Sequence, residues 1–175
     1  MNKFLIGFAI CLLTWTNQVA AQDNIDIVAS LNNLYSLESL MQDAVDVNKA
    51  RAEAEAYIDL IESLDQNYYN SDHIPQLLFK AGDVSVGLGN FEKANDLWSK
   101  LVRGYPEHEL KARAIFFQGF VLDTKQGKSE EAKKKYTEFI NNFPNHELIG
   151  NARLLLSQLG SSDADLLKQF KSDNN

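Results

Sequence analysis

A six-residue motif occurs twice in this 175-residue chain, as YPEHEL at residues 105–110 and as FPNHEL at residues 143–148. The two copies are 38 residues apart, and three further pairs of residues share this offset. These pairs are Gly89 and Gly127, Ala94 and Ala132, and Trp98 and Tyr136. Repetition at such a period is typical of helix–turn–helix arrays, in which one unit cannot bury its own apolar face and must stack on the next. The motif therefore marks a junction between structural repeats.

The segments between the junctions have the spacing of helices. Only three prolines occur in the chain, and apolar residues recur every three or four positions with no alternating, strand-like segment. Gly89-Asn90 predicts the end of one helix and an Asn cap for the next, and Gly127-Lys128-Ser129 predicts the same with Ser129 as the cap. The sequence predicts an all-α solenoid of stacked antiparallel helix pairs, with about eight helices after residue 21, the last one starting at Ser162.

The first helix of each repeat aligns at a slightly different offset. Residues 78–82 align with residues 115–119 at 37 residues, and a longer turn at residues 124–128 accounts for the one-residue difference. Small residues recur at positions where two helices would approach closely, and a large aromatic residue recurs four residues after the Ala of the second helix. We expect Gly82 with Ala94, and Gly119 with Ala132, to let two helices approach closely. Trp98 or Tyr136 would then fill the layer between repeats.

The first 21 residues read as a cleaved signal peptide. Lys3 gives a positive start, residues 4–13 are apolar, and Val19-Ala20-Ala21 is a small-residue cleavage site. Cys11, the only cysteine, lies inside this segment, so the mature chain would have no disulfide, thiolate nucleophile or cysteine metal ligand. We expect an exported protein, located in the periplasm and without a transmembrane segment after cleavage. Lipid anchoring and secretion are the alternatives.

The charge distribution argues against nucleic acid as a partner. Residues 22–72 hold eleven acidic residues against Lys49 and Arg51, whereas residues 73–175 hold thirteen acidic and fourteen basic residues. Binding to a phosphate backbone needs a basic excess over the domain, which is missing. The acidic N-terminal segment is itself a candidate surface for steering a basic partner.

The paired His-Glu dipeptides do not assemble a recognisable catalytic or metal site. A zinc-protease motif needs a second His four residues after the first, but Ala112 and Gly150 occupy those positions. His73, His108 and His146 each precede the first helix of a repeat, and a ladder with helix-packing steps of about 8–10 Å cannot supply zinc bonds of about 2 Å. We predict a non-enzymatic protein with no catalytic residue, no metal and no cofactor, whose histidines are structural or solvated.

The repeated residues resemble a known family, the tetratricopeptide repeat. The first copy consists of Gly82, Gly89, Phe91, Ala94, Trp98 and Pro106, and the second of Gly119, Gly127, Ala132, Tyr136 and Pro144. The longer period and the Tyr-Pro or Phe-Pro ending resemble exported bacterial envelope proteins, in particular the periplasmic tetratricopeptide domain associated with the Tol-Pal system and the outer-membrane-assembly lipoproteins. The domains expected are a signal peptide at 1–21, an acidic helix pair at 22–72 that is a degenerate repeat or a coiled coil, repeats at 73–106 and 107–144, and capping helices at 145–175.

The resemblance implies a binding groove formed by the first helices of the repeats. It carries the groove positions onto Gln76, Phe79, Asp83, Val86, Arg113, Phe116, Phe120 and Asp123. The three phenylalanines recur at helical spacing, which is also the pattern of a core, so groove and core both stay open for them. The function implied is a protein–protein interaction scaffold or adaptor of the periplasm, with an envelope protein or peptide as partner. The alternative is a small-ligand or peptidoglycan-binding protein, and a homo-oligomer is open in both cases.

Overall fold

The structure is a computed structural model that describes residues 26–41, 46–69 and 71–160. Every regular element in these ranges is a helix, and no strand occurs among them. The first helix, α1, covers residues 26–41. The others are α2 (Val47–Asn67), α3 (Ile74–Gly87), α4 (Phe91–Gly104), α5 (Leu110–Thr124), α6 (Ser129–Asn142) and α7 (Ile149–Gly160).

The chain divides into two compact units, Met1–Ser71 and Asp72–Asn175. In the first unit, the hydroxyl of Tyr57 in α2 donates a hydrogen bond of 2.7 Å to the carboxylate of Glu38 in α1. Asp46 caps α2, since its carboxylate accepts from the backbone N–H groups of Asn48 and Lys49. The helices α1 and α2 therefore contact each other through a partly buried polar pair.

The second unit is a continuous array of five helices. Each helix from α3 to α7 packs on the one that follows it, and α3 also contacts α5. Short turns make consecutive helices antiparallel, so this unit has the predicted α-solenoid architecture. The signal segment at residues 1–21 and the predicted eighth helix from Ser162 lie outside the described residues.

A close approach is present at both Gly82 and Gly119, and the group that approaches each glycine is the large ring of the second helix. A Cβ atom built on Gly82 would lie only 2.2 Å from Nε1 of Trp98, and one on Gly119 would lie 2.9 Å from Cε1 of Tyr136. The indole Nε1–H also donates to the backbone carbonyl of Phe79 at 3.2 Å. Trp98 and Tyr136 are almost completely buried. In each repeat, the large ring packs directly against the helix backbone at a glycine, where no side chain intervenes.

The turn between α3 and α4 follows the predicted mechanism. Gly89 has a φ of +77°, the left-handed conformation that glycine adopts at low cost. The N–H of Asn90 bonds the carbonyl of Ser85, and that of Gly89 bonds the carbonyl of Val86, which is the hydrogen-bond pattern of a Schellman helix end. The Asn90 side chain then accepts from the N–H of Lys93 and caps α4.

The second turn corrects one prediction. Gly127 has the expected positive φ, +62°, and four residues rather than three separate α5 from α6, as the changed offset predicted. Ser129, however, is the first residue of α6, not its cap, and the capping position belongs to Lys128, whose side chain makes no capping hydrogen bond. The reason is the repeat itself, because the 38-residue offset places Lys128 on Asn90 and Ser129 on Phe91.

The repeated His-Glu-Leu motif serves as a helix start. Nδ1 of His108 accepts a hydrogen bond of 3.2 Å from the N–H of Leu110, the first residue of α5. Nδ1 of His146 accepts one of 3.1 Å from the N–H of Leu148. The imidazole of His146 also packs edge-on against Phe139, with centroids 5.3 Å apart. Both histidines thus have a structural role, one of the two roles that the sequence left open, and it uses the same ring nitrogen in both copies.

Candidate interaction groove

An exposed stripe runs along the neighbouring helices α3 and α5. Positions separated by three, four or seven residues share one face of a helix. The exposed side chains of α3 are those of Gln76, Lys80 and Asp83, and those of α5 are Arg113, Phe120 and Thr124. The groove is defined here as the surface formed by this stripe together with the half-buried Val86, Phe117 and Asp123. Because α3 and α5 contact each other, the stripe forms one surface across two repeats.

The sequence-predicted groove residues fall into three groups by burial. Gln76, Asp83, Arg113 and Phe120 are exposed, and Val86 and Asp123 are half-buried. The remaining two are core residues, since Phe79 is 6% exposed and Phe116 is 5% exposed. Phe116 belongs to the cluster that α5 forms with α6 and α7.

Phe79 is covered by a side chain from the following repeat. The guanidinium carbon of Arg113 lies 5.2 Å from the centroid of the Phe79 ring, within the range of a cation–π contact. The ring also packs against Trp98 at 6.3 Å and Phe117 at 6.0 Å between centroids. Phe79 therefore supports the groove from below by holding Arg113 in place, and the surface that a partner would meet there is the guanidinium.

Two carboxyl groups of the groove are incompletely solvated. Partial burial raises the pKa of Asp83 above its ordinary value, and the charge of Arg113 only partly offsets this effect. Partial burial likewise raises the pKa of Asp123. The phenol of Tyr136, whose pKa is raised mainly by burial, is raised further by the charge of Asp123. The groove therefore presents two aspartates that gain less from water than a free carboxylate does.

The sequence analysis missed Lys80 and Phe117. The signal that identifies them is the 37-residue offset of the first helices, which relates Gln76 to Arg113, Lys80 to Phe117 and Asp83 to Phe120. Lys80 lies four residues after Gln76 and three before Asp83, so helical spacing puts it on the same face of α3. The offset then puts Phe117 at the corresponding position of α5.

No group of three or more His, Cys, Asp or Glu side chains that could hold a metal ion occurs in the part of the chain that the structure describes. Within the same residues, no helix is both long enough and apolar enough to cross a membrane. The groove contains no nucleophile hydrogen-bonded to a base. Its chemistry is that of an exposed apolar ring, Phe120, together with two cations, Lys80 and Arg113, and two carboxylates, Asp83 and Asp123.

Two segments of the chain, residues 76–108 and 114–146, match the family model described as "Tetratricopeptide repeat". The helices α3 to α6 are therefore similar to a pair of tetratricopeptide repeats. The two matched segments are 38 residues apart, the same as the offset of the repeated motif. No curated protein matches the chain. Tetratricopeptide repeats typically serve as non-catalytic scaffolds for protein–protein interaction, so the exposed groove on their first helices is the candidate interaction site.

Proposed function

We propose that this protein is an adaptor of the bacterial periplasm, which binds a segment of an envelope protein in the groove of its tetratricopeptide repeats. The observation that carries the proposal is the exposed stripe across α3 and α5, which contains the apolar ring of Phe120 as well as the carboxylates of Asp83 and Asp123. Extended and helical peptides both bind surfaces of this type, an apolar anchor giving affinity and flanking charges giving orientation.

The groove favours a basic residue next to an apolar one in the partner segment. The raised pKa values of Asp83 and Asp123 indicate that water stabilises their charged forms poorly in the free protein. A lysine or arginine of the partner would interact with one of these carboxylates in a partly desolvated setting, where an ion pair is stronger than in bulk water. Phe120, 36% exposed, would pack against the neighbouring apolar side chain.

The periplasmic location is a proposal that rests on residues 1–21. Their positive start, apolar run and small-residue cleavage site are the pattern of an export signal. Fusing residues 1–30 to alkaline phosphatase, which is active only after export, tests it. A fusion with no activity, beside an active control fusion carrying a known signal peptide, would refute export.

Site-specific photo-cross-linking in intact cells tests the groove. A photo-reactive amino acid is placed at Gln76 or at Phe120, and in a control at Lys134, an exposed residue of α6 outside the groove. We expect the two groove positions to capture the same envelope protein and the control position not to capture it. Equal capture at all three positions, or none at the groove positions, would refute the groove as the binding site.

A synthetic peptide covering the cross-linked segment then tests the recognition chemistry. We expect Phe120→Ala and Asp83→Asn each to weaken peptide binding about ten-fold, because truncating a central anchor or a desolvated charge costs about 1–3 kcal/mol. Lys134→Ala should leave the affinity unchanged. The glycan-binding alternative stays a prediction; among the phenylalanines of the predicted groove, one exposed ring, that of Phe120, is available for stacking on a sugar.

A further inference from the structure

A second concave site lies between α4 and α6, with α5 as its floor. It is a pocket of about 380 Å³, lined on the floor by Gln118 and Leu122. At 3.6 residues per turn, Leu122 lies roughly half a turn around α5 from Arg113 and Phe120. The pocket is therefore on the opposite side of α5 from the groove, and the two sites share no residue.

Three side-chain amides that line this pocket carry buried oxygen atoms with no hydrogen-bond partner among the described residues. They are Oδ1 of Asn95, Oε1 of Gln118 and Oε1 of Gln126. Gln118 is only 2% exposed. Its orientation is set by its amide nitrogen, which donates to the carbonyl of Asn95 at 3.0 Å and to the hydroxyl of Ser99 at 2.7 Å. The oxygen is consequently the free end, and a buried amide oxygen without a donor is costly.

The charged groups around the pocket have an acidic excess. Glu92, Asp96 and Glu131 contribute carboxylates, and Lys128 and Lys135 contribute ammonium groups. The ammonium group of Lys135 is already paired with Glu138 at 3.2 Å. A ligand that satisfies the pocket must therefore bring hydrogen-bond donors, and a positive charge on that ligand would be favourable.

We propose that this pocket binds the charged end of an aliphatic cation that carries N–H donors, a guanidinium or a primary ammonium group. A guanidinium has five N–H donors and no acceptor, and a primary ammonium has three donors and no acceptor. Either group matches a lining whose buried unpartnered atoms are all acceptors. Leu122, an apolar side chain of the floor, would contact the methylene stem of such a ligand. Two sources can supply this chemistry, a free small cation and the side chain of an arginine or lysine in another protein.

Nuclear magnetic resonance of the ¹⁵N-labelled full chain tests the proposal, with agmatine as the probe. We expect saturable shifts of the side-chain amide signals of Asn95, Gln118 and Gln126. Tetramethylammonium, a cation without N–H donors, and N-butylurea, a neutral donor, should give no saturable shift of these signals. A terminally blocked tripeptide with central arginine distinguishes the sources, because it competes with agmatine only if a protein side chain can enter the pocket; the proposal holds with either result.

Two variants outside the buried centre connect the shifts to the pocket. Gln126→Met and Glu131→Gln each remove one acceptor or charge, and each should weaken agmatine binding about ten-fold, the loss expected for one hydrogen bond to a charged group. Lys134→Ala, on the exposed face of α6, is the control and should bind as the unmodified chain does. Three results would overturn the proposal: no saturable shift at about 10 mM agmatine, a concentration that detects even weak sites; an equal response to tetramethylammonium; or unchanged binding in both variants.

Discussion

Replacing Gly82 with alanine tests the packing that defines the first repeat. The new Cβ would lie 2.2, 2.6 and 2.7 Å from three atoms of the Trp98 indole, distances that real Cβ atoms do not adopt, so the ring must move. It has little room, because Trp98 is 1% exposed and its centroid lies 6.3 Å from that of Phe79 and 6.1 Å from that of Phe117. Moving it also threatens the hydrogen bond from Nε1 to the Phe79 carbonyl.

The expected loss of stability follows from these contacts. Overpacking of a filled core costs about 1–3 kcal/mol, and leaving the buried indole N–H without its acceptor costs a similar amount, about 1–3 kcal/mol. The better helix propensity of alanine offsets about 1 kcal/mol of this loss in stability. We expect Gly82→Ala to lower the free energy of unfolding by about 3 kcal/mol, which at a urea slope of about 1–3 kcal/mol per molar moves the midpoint down by about 1 M or more.

Urea unfolding followed by helical circular dichroism measures this change, and two further glycines calibrate it. Gly87→Ala in the same helix meets nothing within 4 Å and should be neutral or more stable, by up to about 1 kcal/mol. Gly119→Ala meets Tyr136 at 2.9 Å and should lie between the two. If Gly82→Ala were as stable as the unmodified chain, the close approach of α3 to Trp98 would not be a feature of the protein in solution.

Three further predictions separate core, cap and charge. Phe79→Ala should lower the free energy of unfolding by about 3–5 kcal/mol, whereas Phe120→Ala should lower it by less, because Phe120 is 36% exposed and Phe79 only 6%; equal effects in thermal unfolding would contradict the burial difference. Lys128→Asn should stabilise α6 by about 1 kcal/mol, because Lys128 (φ −90°, ψ 63°) has nearly the backbone angles of the capping Asn90 (φ −90°, ψ 73°); an unchanged urea midpoint would refute it. Asp83→Asn should stabilise the protein at neutral pH, because the folded state raises the pKa of this carboxyl. The gain should disappear as the pH falls through the raised pKa of the folded state towards the ordinary pKa of the unfolded state. Below both values the carboxyl is neutral in the folded and the unfolded chain. A gain that persists in acid would exclude desolvation as its cause.

The sequence alone was sufficient for the repeat and its turns because these depend on local rules. Helical periodicity, a glycine with positive φ and an Asn cap are properties of a few neighbouring residues, and Gly89 and Asn90 behave as those rules predict. The error at Ser129 was also a local one. Its residue type suits a cap, yet the 38-residue offset from the capping Asn90 places the capping position at Lys128.

Local rules could not decide which predicted groove residues are exposed. Phe79, Phe116 and Phe120 have the same residue type and lie on first helices, but Arg113 of the next repeat covers Phe79 and the rings of Tyr136 and Phe139 pack on Phe116. Phe120 stays exposed because it occupies the position that aligns with the exposed Asp83.

The amide-lined pocket shows the same limit. The face of α5 that carries Gln118 reads as an interrupted apolar stripe in the sequence, and only the packing of α4 and α6 on either side brings Asn95, Gln118 and Gln126 around one cavity. The sequence by itself determined the period, the helices and the turns, since each is encoded within one repeat. The tertiary structure decided which side chains are exposed and which polar atoms are left without partners, because both depend on residues that neighbouring repeats contribute.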